Sequence, residues 1–427
     1  MTATDTLTLL HPGDTGYDEA RTVWNAMVDR YPAAIARCRS TAEVAAAVRY
    51  ARANELEIAV RCGGHNIAGL AVPEGGLMID LTPMAEVDVD PDAKVARVQG
   101  GALLGELDRA AQKYGLATTA GNVSHTGVGG LTLGGGMGWL ARQYGLACDN
   151  VLSYELVTAD GDVVTASATE NPQLFWGLRG GGGNFGIVTE FVFRLHQIGT
   201  RALVADFTYP TAEAFEILQA WRDLNATAPR QATFTASING DRVTVGFVWV
   251  GAPGNPDALL DAFRAMGNAT SESVEEMSYL TLQTRDDNVQ GHRFRRYWKG
   301  HYFKSLPDEA IRALLRNPGI GASLQAYGGA ISEVPDEDAA FSHRDTLFEF
   351  VTATRWEDAK DDDERIATIR AYAATIDQYA GGAYLNTLNG ETVNRAFPPA
   401  KLARLTMLKT IWDQANIFHL NQNIKPA

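Results

Sequence analysis

A short apolar segment that runs directly into two glycines and a histidine restricts the fold of this chain more than any other feature. Residues 56–60 read as a strand, and Arg61-Cys62-Gly63-Gly64-His65-Asn66 follows with no helical period. Glycines after a strand leave successive backbone N–H groups free to converge on an anion. They also permit positive φ and a close approach to a phosphate. The sequence therefore predicts a phosphate-binding loop that holds His65 beside the phosphorylated ligand.

Two further glycine-rich segments lie downstream. Residues 127–139 read G-V-G-G-L-T-L-G-G-G-M-G-W, and residues 180–186 read G-G-G-G-N-F-G. Segments this poor in side chains cannot build a core, and they indicate backbone that is accessible to a flat or phosphorylated ligand. They lack the glycine turn, crossover helix and later acidic residue of a nicotinamide-binding Rossmann unit, so that class is disfavoured.

Composition excludes several functional classes. The chain has 427 residues, enough for two or three domains, and its net charge of −14 argues against a nucleic-acid or anionic-membrane surface. No signal peptide pattern is visible at Met1–Asp5 and no apolar run approaches the roughly 18–20 residues of a membrane span, so neither feature is expected. Three cysteines are too few for a disulfide framework and favour a reducing compartment. We therefore expect a cytoplasmic protein, and the sequence leaves its oligomeric state open.

Alternating short strands and helices predict an α+β layer structure. Residues 18–52 carry helical signals, with Ser40 and Glu43 forming an N-cap pattern. Asp160-Gly161 predicts a hairpin turn. The remaining predicted strands are 58–61, 77–81, 95–98, 187–195, 202–207, 233–238, 243–250, 322–329 and 348–354, and the remaining helices are 105–114, 256–266, 307–316, 361–379 and 398–412.

Five motifs in sequence order resemble those of the berberine bridge enzyme-like FAD-linked oxidases of the vanillyl-alcohol-oxidase superfamily, especially the bacterial 6-hydroxy-D-nicotine oxidase branch. They are R-C-G-G-H-N, G-V-G-G-L-T-L-G-G-G-M-G-W-L, Y-G-L-A-C-D-N, L-R-G-G-G-G-N-F-G-I-V-T and N-I-F-H-L-N-Q-N-I. The resemblance implies a two-part FAD-binding domain of the PCMH type, at residues 1–200 and 381–427. It also implies an inserted substrate-binding domain at residues 201–380, an antiparallel sheet covered by helices.

The resemblance further implies that His65 is bonded covalently to FAD, for which neutral imidazole is a suitable nucleophile. Some members attach FAD a second time through a cysteine just before the G-V-G-G run, but residues 121–126 contain none. We interpret Cys148 as a small buried apolar residue, and Cys62 is not at the attachment position, so single attachment is expected. The implied cofactor-binding set is Arg61, Cys62, Gly63, Gly64, His65, Asn66, Gly121, Gly127, Gly129, Gly130, Gly134, Gly138, Ile187, Val188, Asn421 and Asn423.

An oxidase of this kind needs a base and a group that orients the substrate carbon. Residues 323, 325 and 327 share one face of a predicted strand and form a polar stripe. The family motif Y-x-N-Y has Thr387 in its last place here, and Met137 stands where plant members have a tyrosine. His125 is a titratable alternative base. The catalytic candidates are Tyr327, Gln325, Asn386, Tyr384 and Tyr144.

The sequence thus favours an FAD-dependent oxidase that removes a hydride from a carbon bearing a hydroxyl or an amine and passes electrons to O₂. The substrate would be a small molecule of the secondary-metabolite kind. Two alternatives stay open, namely a flavin dehydrogenase with another acceptor and a flavin-bound cyclase without net redox chemistry. The spacing of His292, His301 and His343 does not indicate a metal site.

Overall fold

The computed structural model describes residues 7–251, 256–287, 291–317 and 319–427, and it has the mixed α+β architecture that the sequence predicts. The strands are β1 (Leu9–Leu10), β2 (Ala34–Arg37), β3 (Ile58–Arg61), β4 (Leu77–Asp80), β5 (Val87–Asp90), β6 (Val95–Gln99), β7 (Leu116–Ala117), β8 (Val151–Val157), β9 (Val163–Ser167), β10 (Ile187–Arg194), β11 (His196–Gln197), β12 (Arg201–Pro210), β13 (Ala232–Asn239), β14 (Arg242–Val250), β15 (Ser271–Ser278), β16 (Arg295–Phe303), β17 (Gly321–Ala326) and β18 (Phe348–Trp356). The α-helices are α1 (Tyr17–Arg21), α2 (Thr41–Ala53), α3 (Leu104–Gln112), α4 (Val128–Leu133), α5 (Ala141–Tyr144), α6 (Pro172–Leu178), α7 (Ala214–Asn225), α8 (Asp257–Arg264), α9 (Tyr279–Thr284), α10 (Asp308–Leu314), α11 (Ala330–Glu333), α12 (Asp362–Ile376) and α13 (Pro399–Trp412).

The first sheet has the strand order β1-β2-β4-β3, and β2, β4 and β3 run parallel. Helix α2 covers it and begins where the Ser40 hydroxyl accepts a hydrogen bond from the Glu43 N–H, so the predicted N-cap is confirmed. The buried helix residues Val44 and Val48 share a core with Ile58 of β3. Ligands of open α/β sheets bind beyond the carboxyl ends of parallel strands, and the Cys62–Asn66 loop follows the carboxyl end of β3.

The second sheet is antiparallel, in the order β5-β6-β10-β8-β9. Strands β8 and β9 form the hairpin that Asp160-Gly161 predicts, and Gly161 takes the positive φ of +80° that such a turn needs. Tyr154, Phe185 and Phe191 belong to the core that this sheet shares with α3, α6 and α13. This layer positions the start of β10, at Ile187 and Val188, beside the ligand cavity.

The third large sheet has seven antiparallel strands, in the order β15-β12-β14-β13-β17-β18-β16. Alternate residues of a strand point to opposite sides, and in β12 both sides are buried. Ala205 and Phe207 belong to a core that includes residues of α7, α8, α10 and α12. Val204, on the other face, belongs to a core with Trp139 and Leu140 of the glycine-rich region. The sheet therefore joins a helical layer to the region that contains the glycine-rich loops.

Several elements differ from the sequence-based expectation. Residues 128–133 form the short helix α4 with Val128 fully buried, rather than open backbone. Strand β2 lies inside the segment 18–52 that was expected to be helical, and its four residues, Ala-Ile-Ala-Arg, are too short a run to show a period. Strand β15 is a largely exposed edge strand rich in Ser and Glu, a composition that gives no strand signal.

Residues near both ends of the described chain are fixed onto the central layers. Asn25 donates from its side-chain amide to the backbone carbonyls of Ile67 and Arg296, at 2.8 and 3.1 Å. Lys409 of α13 donates to Asp413 at 2.6 Å and to the backbone carbonyls of Asn184 and Phe418 at 2.8 and 2.9 Å. Among the described residues, no helix has both the length and the apolar character required to cross a lipid bilayer.

Candidate active site

Two glycine loops meet backbone to backbone at the carboxyl end of β3. A Cβ atom on Gly63 would lie 2.3 Å from the Gly127 nitrogen, and a Cβ atom on Gly127 would lie 2.3 Å from the Cys62 Sγ. Gly64 adopts a φ of +66°, which favours glycine. The two loops can approach this closely only because side chains are absent, and their contact forms the floor of a cavity.

The cavity has a volume of about 460 Å³, a size typical of small-molecule and cofactor sites. The glycine loops, the start of β10 and the C-terminal segment form most of it, while Trp24 and Trp298 close one end. The residues used in the argument below that line it are Trp24, Cys62, Gly63, Gly64, His65, Asn66, Thr126, Gly127, Gly129, Gly130, Met137, Ile187, Val188, Trp298, Tyr384, Asn386, Thr387 and Asn421.

His65 is held on several sides at one end of this cavity. Its ring stacks on Trp24 with centroids 4.6 Å apart, and its Nε2 lies 2.6 Å from the Nδ1 of His125. Its Nδ1 lies 3.3 Å from the Thr126 hydroxyl. Burial lowers the pKa of His65 to about 3, and the charges of His125 and Arg296 act in the same direction. The imidazole is therefore neutral at physiological pH, which is the form that can act as a nucleophile.

Tyr384 faces the cavity from the C-terminal segment. Its phenolic oxygen accepts hydrogen bonds from the Gly136 N–H at 2.8 Å and from the Asn386 side-chain amide at 2.9 Å. Burial raises the pKa of Tyr384, and the nearby Glu349 carboxylate raises it further. Because the two donors occupy both lone pairs of a neutral phenol, the O–H proton is left to donate to a bound molecule.

Buried polar atoms without partners test whether a cofactor with polar edges fits here. Within the described part of the chain, such atoms include the Oδ1 of Asn421 and the Nε1 of Trp24 and Trp298, all three in cavity-lining residues. Buried polar groups are nearly always hydrogen-bonded. Together with the exposed backbone of Gly130, these atoms fit a ligand that brings both phosphate and ring heteroatoms.

Comparisons with known proteins agree with this site. An FAD binding domain family matches residues 32–167. The structure of BBE-like 1 from Physcomitrella patens superposes with a TM-score of 0.92 at 25% identity, covering 100% of this chain and 99% of that one. The structure of glucooligosaccharide oxidase from Acremonium strictum gives a TM-score of 0.91 at 26% identity, covering 100% of this chain and 98% of that one.

(R)-6-hydroxynicotine oxidase from Paenarthrobacter nicotinovorans is 32% identical, covering 98% of this chain and 96% of the relative. The chain belongs to the berberine bridge enzyme-like FAD-linked oxidases.

The cofactor of this FAD-linked oxidoreductase is FAD, and its predicted cofactor-binding residues divide into two groups. Most line the cavity, as given above. Five do not line it among the described residues, and they make other contacts. Arg61 donates to the Ala20 carbonyl, the Gly121 carbonyl accepts from Gln283, Gly134 abuts Asn386, Gly138 abuts the Ala120 carbonyl, and Asn423 follows the lining residue Gln422.

The predicted catalytic residues also fall into two groups, those that line the cavity and those that do not. Tyr384 and Asn386 line the cavity. Gln325 faces the cofactor-side layer and accepts a hydrogen bond from Asn122 at 3.2 Å, and Tyr144 stacks on His196 with centroids 3.9 Å apart. Neither of these two is among the described residues that line the cavity. Of the expected polar stripe, Gln325 therefore makes a contact between two layers of the structure and does not line the cavity.

Tyr327 follows the end of β17 and lies one layer behind the cavity. Its hydroxyl donates to the Glu349 carboxylate at 2.7 Å and lies 3.4 Å from the Tyr302 hydroxyl. Burial raises the pKa of Glu349 to about 7, although the hydrogen bond from Tyr327 lowers it. Tyr302, Tyr327 and Tyr384 belong to one buried cluster with Met137. This cluster supports the position of Tyr384.

Sequence reasoning did not single out Trp24 or Glu349, and it did not pair His125 with His65. Trp24 and Trp298, whose centroids are 5.6 Å apart, come from distant parts of the chain. A glutamate in an alternating strand normally reads as solvent-facing, which gives Glu349 no signal. Among the described residues, no group of His, Cys, Asp and Glu side chains is arranged to hold a metal ion.

Gly127→Ala is expected to lower the free energy of unfolding by about 1–3 kcal/mol, because the added methyl forces the two glycine loops apart. Gly130→Ala is the matched control, since a Cβ there meets no described atom within 4 Å and the site lies in helix α4. Both variants should be compared by denaturant unfolding in a His65→Ala background freed of FAD. Equal stabilities of the two variants would show that the loop contact is not tight.

Proposed function

We propose that the enzyme is an FAD-dependent oxidase whose FAD is bonded covalently through His65 alone. It removes a hydride from a C–H next to an amine or a hydroxyl of a small, flat, secondary-metabolite-like molecule, and O₂ is the electron acceptor. In this proposal residues 1–200 and 381–427 hold FAD, and residues 201–380 supply the substrate wall. The observation that carries the proposal is that one cavity contains the His65 loop, the glycine backbones and the Tyr384 hydroxyl.

The cofactor end of the cavity supports attachment through one residue. Bound FAD supplies the hydride acceptor and the route of electrons to O₂. The neutral ring of His65 is fixed by Trp24 and His125 at one end, and Asn421 offers a polar atom that lacks a protein partner. Cys62 also lines the cavity, but burial raises its pKa to about 11 and its Sγ lies 3.5 Å from the Ala102 carbonyl, to which it donates. Cys62 therefore remains a thiol, the unreactive form.

The substrate end of the cavity favours an amine over an alcohol. Because burial raises the pKa of Tyr384, its hydroxyl stays protonated at neutral pH, so it can donate a hydrogen bond that orients the substrate but cannot take the substrate's proton. An alcohol needs a base that takes its proton as the hydride leaves, whereas an amine that arrives neutral does not. Met137, Trp298 and Thr387 also line the cavity, and their uncharged side chains suit a flat molecule with little charge.

The first test is covalent attachment, measured by acid precipitation of the purified protein. Yellow colour should stay with the wild-type pellet and move to the supernatant for His65→Ala. His11→Ala, at an exposed histidine outside the cavity, should behave as wild type. Bonded flavin in the His65→Ala protein would show that another residue carries it and would overturn single attachment through His65.

The second test is turnover by the same holoenzyme. A panel of small amines and alcohols, beginning with 6-hydroxynicotine, is mixed with the enzyme without air. An amine should bleach the yellow absorbance, and admitted O₂ should restore it with formation of one H₂O₂ for each C–H oxidised. Recovery with a dye but not with O₂ would indicate a dehydrogenase, and a flavin that no compound bleaches would favour a cyclase without net redox chemistry.

A further inference from the structure

The side chains of His125 and His65 are close enough to share a hydrogen bond between their rings. The two residues are 60 positions apart, yet their ring nitrogens lie 2.6 Å from one another, which is a short hydrogen-bonding distance. The bond joins Nε2 of His65 to Nδ1 of His125. Since burial lowers the pKa of both rings, both are neutral, and one of the two nitrogens must carry the shared proton.

The contacts of His65 determine which of its two ring nitrogens keeps an available lone pair in each tautomer. With the proton on Nε2, His65 donates to His125, and its Nδ1 keeps a lone pair. That nitrogen contacts the Thr126 hydroxyl at 3.3 Å, a long contact that a stronger interaction can replace. With the proton on Nδ1 instead, the lone pair of Nε2 is committed to His125. Only the first tautomer leaves His65 a nitrogen that can form a new bond.

We propose that His125 is the positioning residue and proton acceptor for flavin attachment, holding His65 in the Nε2–H tautomer so that Nδ1 bonds to the cofactor. This inference rests on the covalent attachment proposed above. Thr126 then lies on the side of His65 from which the cofactor approaches, and His125 lies on the opposite side.

The overall step balances with O₂ as oxidant. An N–C bond forms between His65 Nδ1 and the benzenoid methyl carbon of FAD, and one C–H bond of that methyl breaks. The imidazole loses its Nε2 proton to His125, and the methyl loses the other hydrogen. The two electrons released reduce O₂ to H₂O₂, which takes up two protons, one from the methyl group and one that His125 passes on through solvent. His125 is thereby returned to its neutral form.

A carboxylate is placed to favour a proton on His125. Asp287 accepts hydrogen bonds from the backbone N–H and the hydroxyl of Ser124, at 2.8 and 2.6 Å, which fixes it beside the residue preceding His125. Its negative charge raises the pKa of His125, while burial and the Arg296 guanidinium lower it. His125 is therefore better suited than His65 to hold a transient positive charge, because the Asp287 carboxylate favours its protonated form, whereas the charges that act on His65 disfavour the protonated form there.

The experiment follows covalent incorporation of FAD into the full chain prepared without bonded flavin. Samples are incubated with FAD in air, quenched in denaturant and measured by flavin fluorescence on a gel. His125→Ala should slow incorporation about 100-fold or more, the range for loss of a positioned general base, while reversible FAD binding is retained. Added imidazole should restore a large part of the rate, which a merely structural defect would not allow.

Two comparisons make the result specific. His125→Asn can still accept a hydrogen bond from His65 but cannot take its proton, so it should be as slow as His125→Ala. His11→Ala should incorporate FAD at the wild-type rate. If His125→Ala matches wild type, the proposal is overturned while the covalent attachment itself stands. If wild type incorporates no FAD covalently, the attachment in the proposed function has failed, and this inference fails with it.

A measurement on the wild-type protein is independent of how the variants fold. The flavin-bearing peptide is released by proteolysis, and the bonded imidazole nitrogen is identified by nuclear magnetic resonance. A bond at Nδ1 supports the proposal. A bond at Nε2 overturns it, because that nitrogen faces His125 and could not form the bond while paired with it.

Discussion

Replacing Tyr384 with Phe is expected to slow flavin reduction by substrate about 100-fold, the loss that follows when a substrate is misplaced by about 1 Å. The substitution removes the hydroxyl that is proposed to donate to the substrate. It also leaves the Gly136 N–H without its acceptor, and an unpaired buried donor costs about 1–3 kcal/mol. The Asn386 amide loses one of its two acceptors and keeps the Leu131 carbonyl. The Gly134–Gly136 backbone and the Asn386 side chain should therefore shift together.

Anaerobic rapid mixing of holoenzyme with substrate measures this rate without interference from O₂. Tyr372→Phe is the matched control, because it deletes the same hydroxyl from a buried tyrosine that donates to the Leu314 carbonyl on the helical side of the large sheet. That variant should reduce its flavin at the wild-type rate. If Tyr384→Phe is equally fast, Tyr384 does not orient the substrate.

Lys409→Met is expected to lower the free energy of unfolding by about 3–5 kcal/mol, the usual cost of removing one partner from a buried ion pair. The side chains of Lys409 and Asp413 are both fully inaccessible to solvent, so the remaining carboxylate would be buried without its cation. The variant also loses the contacts from Lys409 to Asn184 and Phe418. Bound FAD should therefore become more accessible as well.

Denaturant unfolding of the holoenzyme tests this loss, and a surface pair of the same type provides the control. Lys360 and Asp358 form an ion pair at 2.8 Å, but their side chains are 76% and 53% exposed. Exposed pairs contribute little to stability because water and salt screen them, so Lys360→Met should change stability little. A similar small change in both variants would mean that the Lys409 contact does not fasten the C-terminal segment.

Local signals in the sequence predicted the elements that depend on local physics. Ser40 and Glu43 predicted the start of α2, and Gly161 predicted the hairpin turn, because capping and turn formation involve residues only a few positions apart. The helical character of 128–133 was missed, since glycines lower helix propensity and α4 is stabilised by burial of Val128. Tertiary packing overrode the local preference there.

The same limit explains which parts of the site could be anticipated. The motif that contains His65 was visible because a loop that binds phosphate must have glycines in sequence. The partner of His65 was not, because His125 comes from another loop and nothing in the spacing of 60 residues brings the rings together. Glu349 was hidden for a related reason, since its partner Tyr327 is fixed by the pairing of β17 with β18.

The way Asn184 is held also sets an order of events during protein synthesis. Its side chain bonds to the backbone of Gln422 and Ile424, and its carbonyl accepts from Lys409. The glycine loop at 180–186 therefore lacks its final contacts until the last part of the described chain has been made. Earlier layers can fold as they emerge from the ribosome. FAD cannot be enclosed at that stage, because the enclosing contacts come from the last part of the described chain. The cofactor is therefore loaded only after that part has been synthesised.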